Sequence, residues 1–236
     1  MHGFQTLGQP MKYSELFYTI QGEGMLIGVP SVFFRTSYCN LRCIWCDTPY
    51  TSWEPEDKHI SVNKIAEKIA TYNCKHVVIT GGEPFIQTEE LVTLCDKLNK
   101  DGYHITIETN ATVYADVRAH LISMSPKLRN SNPKPGNRYF EMHQRERIQT
   151  DVIRKFLDNY TCQLKFVMET PKDLGEVQCL QSKIGIPDEI IVLMPQGIIA
   201  EETQCKQEWI IELCKQHGYR YSPRVHVDVW GNQRGV

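Results

Sequence analysis

The chain lacks any apolar run long enough to cross a membrane. Its longest purely aliphatic stretch is Ile190–Met194, whereas a helical span needs roughly 20 residues. Met1–Lys12 carries no apolar segment of the kind a secretory leader uses. An excess of one charge is missing too: 26 Lys and Arg stand against 28 Asp and Glu, a net charge of −2. That balance argues against electrostatic capture of nucleic acid or of an anionic membrane. Nor is there an even cysteine framework. Of nine cysteines, three cluster and six are scattered, which fits a reducing cytoplasm rather than a disulfide-stapled secreted domain. No internal repeat, low-complexity tract or linker divides the 236 residues, a length that suits one domain spanning 1–236. A cytoplasmic domain without membrane or direct nucleic-acid contact is the expectation.

What the chain does contain is an alternation of short β-rich runs and amphipathic helices. Strands are predicted at 31–37, 76–80, 103–107, 120–125, 162–168 and 189–194, and helices at about 61–73, 88–100, 172–184 and 201–217. Ser61 can cap the first helix, whose Val62, Ile65 and Ile69 share a face. Leu91, Leu94, Cys95 and Leu98 form the stripe of the second, which stops at Gly102. Strands alternating with such helices predict a parallel sheet built from βαβ units. About six strands are too few to close an eight-stranded barrel, so the expected fold is α/β, a partial, open TIM-type barrel. The segment at about 128–147 breaks the rhythm with Pro133, Pro135, Gly136 and five Arg or Lys. It predicts a long loop or a helix-bearing insertion serving as a lid, a dimer element or a reductase contact.

Cys39, Cys43 and Cys46 fall within the string Cys39-Asn40-Leu41-Arg42-Cys43-Ile44-Trp45-Cys46. A 4Fe–4S cluster normally takes four thiolates, so a triplet with no fourth partner leaves one iron open to a small molecule. Three cysteines and a histidine can also close a tetrahedral zinc site. The next histidine is His59, and no second CxxC pair exists. In parallel α/β folds, ligands bind at the carboxyl ends of the strands. The cysteine loop, Gly81-Gly82-Glu83-Pro84, Glu108-Thr109-Asn110, Ser125-Pro126-Lys127 and Met194-Pro195-Gln196-Gly197 each follow a predicted strand. Five such loops predict one site on one rim. Cys95 and Cys214 lie on apolar stripes and read as core. Cys74, Cys162, Cys179 and Cys205 lack ligand spacing, so a second cluster is not expected.

A CxxxCxxC loop after the first predicted strand, then Gly-Gly-Glu-Pro after the second, resembles the radical S-adenosylmethionine (SAM) superfamily. The resemblance implies that Cys39, Cys43 and Cys46 hold three irons of a 4Fe–4S cluster while SAM binds the fourth. Reductive cleavage of SAM then yields a 5′-deoxyadenosyl radical that abstracts hydrogen. Gly81 and Gly82 would let backbone approach the ligand, Glu83 would accept the SAM ammonium, and Trp45 would shield the cluster from water.

A narrower likeness rests on Phe17-Tyr18-Thr19-Ile20-Gln21-Gly22-Glu23-Gly24, Gly28-Val29-Pro30-Ser31, Phe34-Arg35, Cys46-Asp47-Thr48 and His226-Val227-Asp228-Val229-Trp230-Gly231-Asn232. Together they resemble the 7-carboxy-7-deazaguanine synthase family of the queuosine and 7-deazapurine pathway. Its members contract 6-carboxy-5,6,7,8-tetrahydropterin to 7-carboxy-7-deazaguanine, a lyase reaction losing ammonia, with Mg2+ and with SAM used catalytically. By position, the resemblance implies substrate contacts from Ile20, Gln21, Gly22, Arg35, Thr80, His226 (read as a strand residue) and the terminal carboxylate at Val236. Arginine's planar fork suits a substrate carboxylate. Gly82, Ser125, Pro126, Lys127 and Gln196 are implied SAM contacts, with Glu108 and Asn110 at its ribose. Thr48 is an implied Mg2+ ligand, an ion that keeps waters and takes substrate oxygens. An electron donor such as flavodoxin or ferredoxin and a homodimer are implied as well. A glycyl-radical-enzyme activase would share the cysteine loop but not explain Ile20-Gln21-Gly22-Glu23, Arg35 and Trp230-Gly231 together. A zinc-binding interaction module would leave the Gly-Gly-Glu-Pro rim without purpose.

Overall fold

The computed structural model describes residues 9–236; residues 1–8, part of the N-terminal stretch read above for a leader, lie outside the described residues. The strands are β1 (Met11–Ile20), β2 (Pro30–Thr36), β3 (Lys58–Ile60), β4 (His76–Gly81), β5 (His104–Thr109), β6 (Leu121–Met124), β7 (Cys162–Met168), β8 (Ile191–Pro195) and β9 (Arg220–Tyr221). They form one sheet in the order β3-β1-β2-β4-β5-β6-β7-β8-β9. From β2 to β9 each neighbouring pair is parallel. β1 runs antiparallel to β2, and β3 antiparallel to β1. The sheet thus stays open between edge strands β3 and β9, the partial barrel expected. All six predicted parallel strands are present. The cysteine loop, however, follows β2, the second strand of the chain and the first of the parallel set.

The helices are α1 (Val62–Ala70), α2 (Thr88–Lys100), α3 (Phe140–Glu146), α4 (Thr150–Asn159), α5 (Leu174–Ile184), α6 (Ala200–His217) and α7 (Val225–Trp230). The Ser61 hydroxyl caps α1 by accepting from Lys64 N. Glycines in the left-handed region, Gly185 and Gly218, end α5 and α6. The 128–147 insertion is helix-bearing: it contains α3 and packs its residues against the cysteine loop. No helix among the described residues is long and apolar enough to cross a membrane.

The parallel strands have two chemically distinct faces, because successive side chains alternate. Val77, Ile79, Ile105, Ile107, Ile122, Met124, Leu164, Phe166, Ile191 and Leu193 join one hydrophobic core with the helices, which contribute Ile65, Ile69, Leu91, Leu94, Ile153, Phe156 and Ile210. Burying each such side chain contributes about 1.5–3 kcal/mol. The alternate positions carry Thr80, Thr106, Glu108, Ser123, Gln163 and Lys165, also largely buried but polar. Register makes those polar positions one concave surface, and the functional site is built on it.

Candidate active site

A cavity of about 240 Å³ opens at the carboxyl end of the parallel strands. It brings together residues from every strand-end loop singled out in the sequence. Cys39, Cys43, Cys46 and Thr48 line it, with Ile20, Gln21, Gly22, Arg35, Thr80, Gly82, Glu108, Asn110, Ser125, Lys127, Gln196, His226 and Val236. Two expected site residues, Glu83 and Pro126, do not reach it.

The cysteine loop is shaped by close backbone contacts. A Cβ on Gly82 would lie 1.9 Å from Tyr38 O, an approach only glycine permits. Tyr38 itself adopts φ 73°, and Glu83 N donates to its carbonyl (2.9 Å), so the Gly-Gly turn props the residue before Cys39. Glu83 is corrected to a positioning role. Its carboxylate is fully buried and accepts from Phe85 N (3.1 Å), Thr109 Oγ1 (2.8 Å) and Asn110 N (2.7 Å). Burial, only partly offset by those bonds, pushes its pKa up to about 7. Asn110 likewise serves the loop: its Nδ2 donates to Asn40 Oδ1 (3.0 Å), and Thr112 donates to its Oδ1.

Burial pushes the Cys39 thiol up to about 12 and raises that of Cys43 as well, with Lys127 the nearby cation that opposes the rise at Cys43. Thiols so placed become thiolates when metal supplies the positive charge. Among the described residues, no three His, Cys, Asp or Glu side chains converge on a single metal ion. The three thiols line one cavity together with Gly82, a donor set that suits a cluster held by three thiolates. Lys127 Nζ also sits 5.7 Å from the Trp45 ring centroid and donates to Ser125 Oγ (2.8 Å).

Opposite the cysteines lies a buried charged network. Lys165 Nζ, from the middle of β7, donates to Glu23 Oε2 (2.9 Å) and Glu108 Oε1 (3.1 Å). Glu108 also accepts from Thr80 Oγ1 (2.8 Å) and Gln21 Nε2 (3.3 Å). Arg224 Nε donates to Glu23 Oε1 (2.9 Å), while its two Nη atoms reach Asp47 and Gly197 O. Burial by itself would raise Glu23, but Lys165 and Arg224 hold its carboxyl well below the ordinary value. Asp47 is also held low, because Arg224 overrides its burial. His226 packs against Gly22 and stands 3.7 Å from Glu23 Oε1; burial lowers its pKa. It lies in α7, not in a strand as expected. Arg35 donates through Nε to Glu15 (2.8 Å), and among the described residues its Nη atoms donate no hydrogen bond.

Sequence reasoning missed Lys165, Arg224 and Asp47, and assigned no role to Glu23. Lys165 had a readable signal: Gln163 and Lys165 alternate with Leu164 and Phe166 in a central strand, where charge is rarely left unpaired. The pairs Glu23–Lys165 and Glu23–Arg224 join residues 142 and 201 positions apart, and nothing local announces them.

Comparison with known proteins agrees with this geometry. The radical SAM superfamily matches residues 33–128. The 7-carboxy-7-deazaguanine synthase of Halobacterium salinarum is 42% identical over 238 residues, covering 95% of this chain and 92% of that protein. The synthase of Rhodopirellula baltica is 40% identical, covering 94% and 88%. The crystal structure of QueE from Escherichia coli superposes with a TM-score of 0.68 at 26% identity, covering 92% of this chain and 95% of that one. SAM-bound SuiB of Streptococcus suis, at 15% identity and TM-score 0.53, shares the fold alone. With the cysteine loop, the Gly-Gly turn and nearly the whole length matched, the chain belongs to the 7-carboxy-7-deazaguanine synthase family of radical SAM enzymes.

Proposed function

We propose that this chain converts 6-carboxy-5,6,7,8-tetrahydropterin to 7-carboxy-7-deazaguanine by radical ring contraction with loss of ammonia. The observation that carries the reading is one cavity lined by three cysteine thiols, a hydrogen-bonded Gln21–Glu108–Thr80–Lys165 row and the unengaged edge of Arg35. Cys39, Cys43 and Cys46 would hold the cluster. Gly82, Ser125, Lys127 and Gln196 would line the SAM side. With both bound, they supply a 5′-deoxyadenosyl radical for hydrogen abstraction. The chain's own residues orient the substrate. The Nη edge of Arg35 suits its carboxylate; Gln21 and Thr80 suit the polar pterin edge, and Glu108, hydrogen-bonded to both, is moved there from the SAM ribose implied by the resemblance; Ile20, Gly22, His226 and Val236 complete the wall. Lys165 donates to both Glu23 and Glu108, so the pocket meets the ligand with its polar groups already oriented.

Mg2+ is proposed at Thr48, where the Asp47 carboxylate is adjacent and a substrate carboxylate completes the oxygen set. A small electron-transfer protein such as flavodoxin or ferredoxin would supply electrons, and the chain would act as a homodimer. Anaerobically reconstituted protein should be brown. Supplied with SAM, reductant, Mg2+ and the carboxytetrahydropterin, it should release the deazaguanine. Cys43→Ala should abolish turnover. Brown protein that cleaves SAM yet ignores the pterin would refute the reading and favour a glycyl-radical activase, and colourless protein holding one zinc would refute the radical chemistry.

A further inference from the structure

The 128–147 insertion makes contacts that a lid or a docking arm would not need. His143, on α3, is fully buried. Its Nδ1 accepts from Arg42 N (2.9 Å), and its Nε2 lies 3.0 Å from Ser131 Oγ. Ser131 Oγ in turn donates to Leu128 O (2.6 Å). A backbone N–H can only donate, so Nδ1 must carry the lone pair and Nε2 the proton. One neutral tautomer satisfies the whole chain of bonds. Next to it, Ile44 N donates to Ser131 O (2.9 Å), and Trp45 Nε1 donates to Asn130 Oδ1 (3.3 Å). The amides flanking Cys43 on both sides are therefore claimed by the insertion. Of the loop's backbone donors, Leu41 N does meet a ligand sulfur, Cys39 Sγ at 3.4 Å.

Hydrogen bonds to cluster sulfurs stabilise the more negative, reduced cluster and raise its potential. We propose that His143 is a positioning residue that withholds the Arg42 amide from the cluster, so that the insertion keeps the cluster strongly reducing. This rests on the cluster site proposed above. The chemistry is consistent, since cleaving a sulfonium by one electron calls for a low-potential donor.

The test is an EPR-monitored redox titration of reconstituted protein without SAM, comparing wild type with His143→Asn, Ser131→Ala and His143→Leu. Asn keeps an acceptor near the Nδ1 position, Ser131→Ala releases the tautomer, and Leu removes the acceptor at similar bulk. The expected order is a wild-type midpoint for His143→Asn, a shift to less negative potential for Ser131→Ala, and a larger shift for His143→Leu. Amide exchange over Leu41–Trp45 in cluster-free protein should quicken in the same order. If His143→Leu does not fold, Ser131→Ala against His143→Asn carries the same comparison. Equal midpoints at full iron content would overturn this inference alone. A wild-type chain that takes up no iron would overturn the cluster reading beneath it.

Discussion

Lys165→Met tests the buried charged network directly. The Lys165 side chain is 4% exposed, and its partners Glu23 and Glu108 are 13% and 21% exposed. Removing one partner of a buried pair costs about 3–5 kcal/mol, because the charge left behind has lost both water and its counterion. Glu23 keeps Arg224 at 2.9 Å, so the low end applies, about 3 kcal/mol. The cost falls mainly on Glu108, whose remaining donors are the neutral Thr80 hydroxyl and Gln21 amide. For a chain this long each kcal/mol moves Tm by about 2–4 °C, so calorimetry of cluster-free protein at neutral pH should show a drop of roughly 6–12 °C. Adding Glu108→Gln removes the stranded charge and should restore about half of the loss. The acid side supplies a sign check. Glu23 has a folded pKa held below its ordinary 4.5, so its contribution is present above that pH and is lost as pH falls beneath it. Lys165→Met should shrink that acid-induced loss. A Tm within about 2 °C of wild type, or a double variant as unstable as the two single losses added, would refute the reasoning.

Gly82→Ala should displace the cysteine loop, since its methyl carbon would meet Tyr38 O at 1.9 Å; iron bound per chain after reconstitution should fall well below wild type. Thr48→Val should leave iron content and SAM cleavage intact while raising the Mg2+ concentration needed for half-maximal product formation, read from a Mg2+ titration. His143 has its pKa lowered to about 4, by burial first and then by Arg147 and Lys127. The unfolded chain therefore binds the extra proton between about 6.5 and 4, and stability must fall as pH drops through that window. Urea melts of cluster-free protein should show wild type losing stability relative to His143→Asn there, and the two should run parallel above pH 7.

Where the chain could be read locally, the reading held for physical reasons. The six parallel strands were visible because each is an apolar run ended by turn residues, and a strand's carboxyl end is where parallel folds keep their ligands. β1 escaped because Met11–Ile20 mixes polar and apolar residues without a clean period, and β3 and β9 are three and two residues long. α4 was overlooked although Val152, Ile153, Phe156 and Leu157 recur at helical spacing, because it directly follows an irregular insertion. Val225-His226-Val227-Asp228-Val229 alternates like a strand yet forms α7. Arg224 decides this: its carbonyl accepts from Val227 N and Asp228 N, while its guanidinium is pinned by Glu23 and Asp47.

That last case shows why the electrostatics of the site were harder to read than its cysteines. A cluster loop is local, and three thiols within eight residues declare themselves by spacing alone. The counter-charges are not local, for Glu23 follows β1, Lys165 lies in β7 and Arg224 opens α7. Apart from Lys165 in its central strand, nothing in the local sequence marks these charges until the fold brings them together. Once there, each is costly to bury without its partners, since an unpaired charge at that depth costs several kcal/mol. The network therefore contributes to stability as well as forming a wall of the pocket. A substitution that spares every cysteine can still abolish the site by unbalancing charges the chain brings together only when folded.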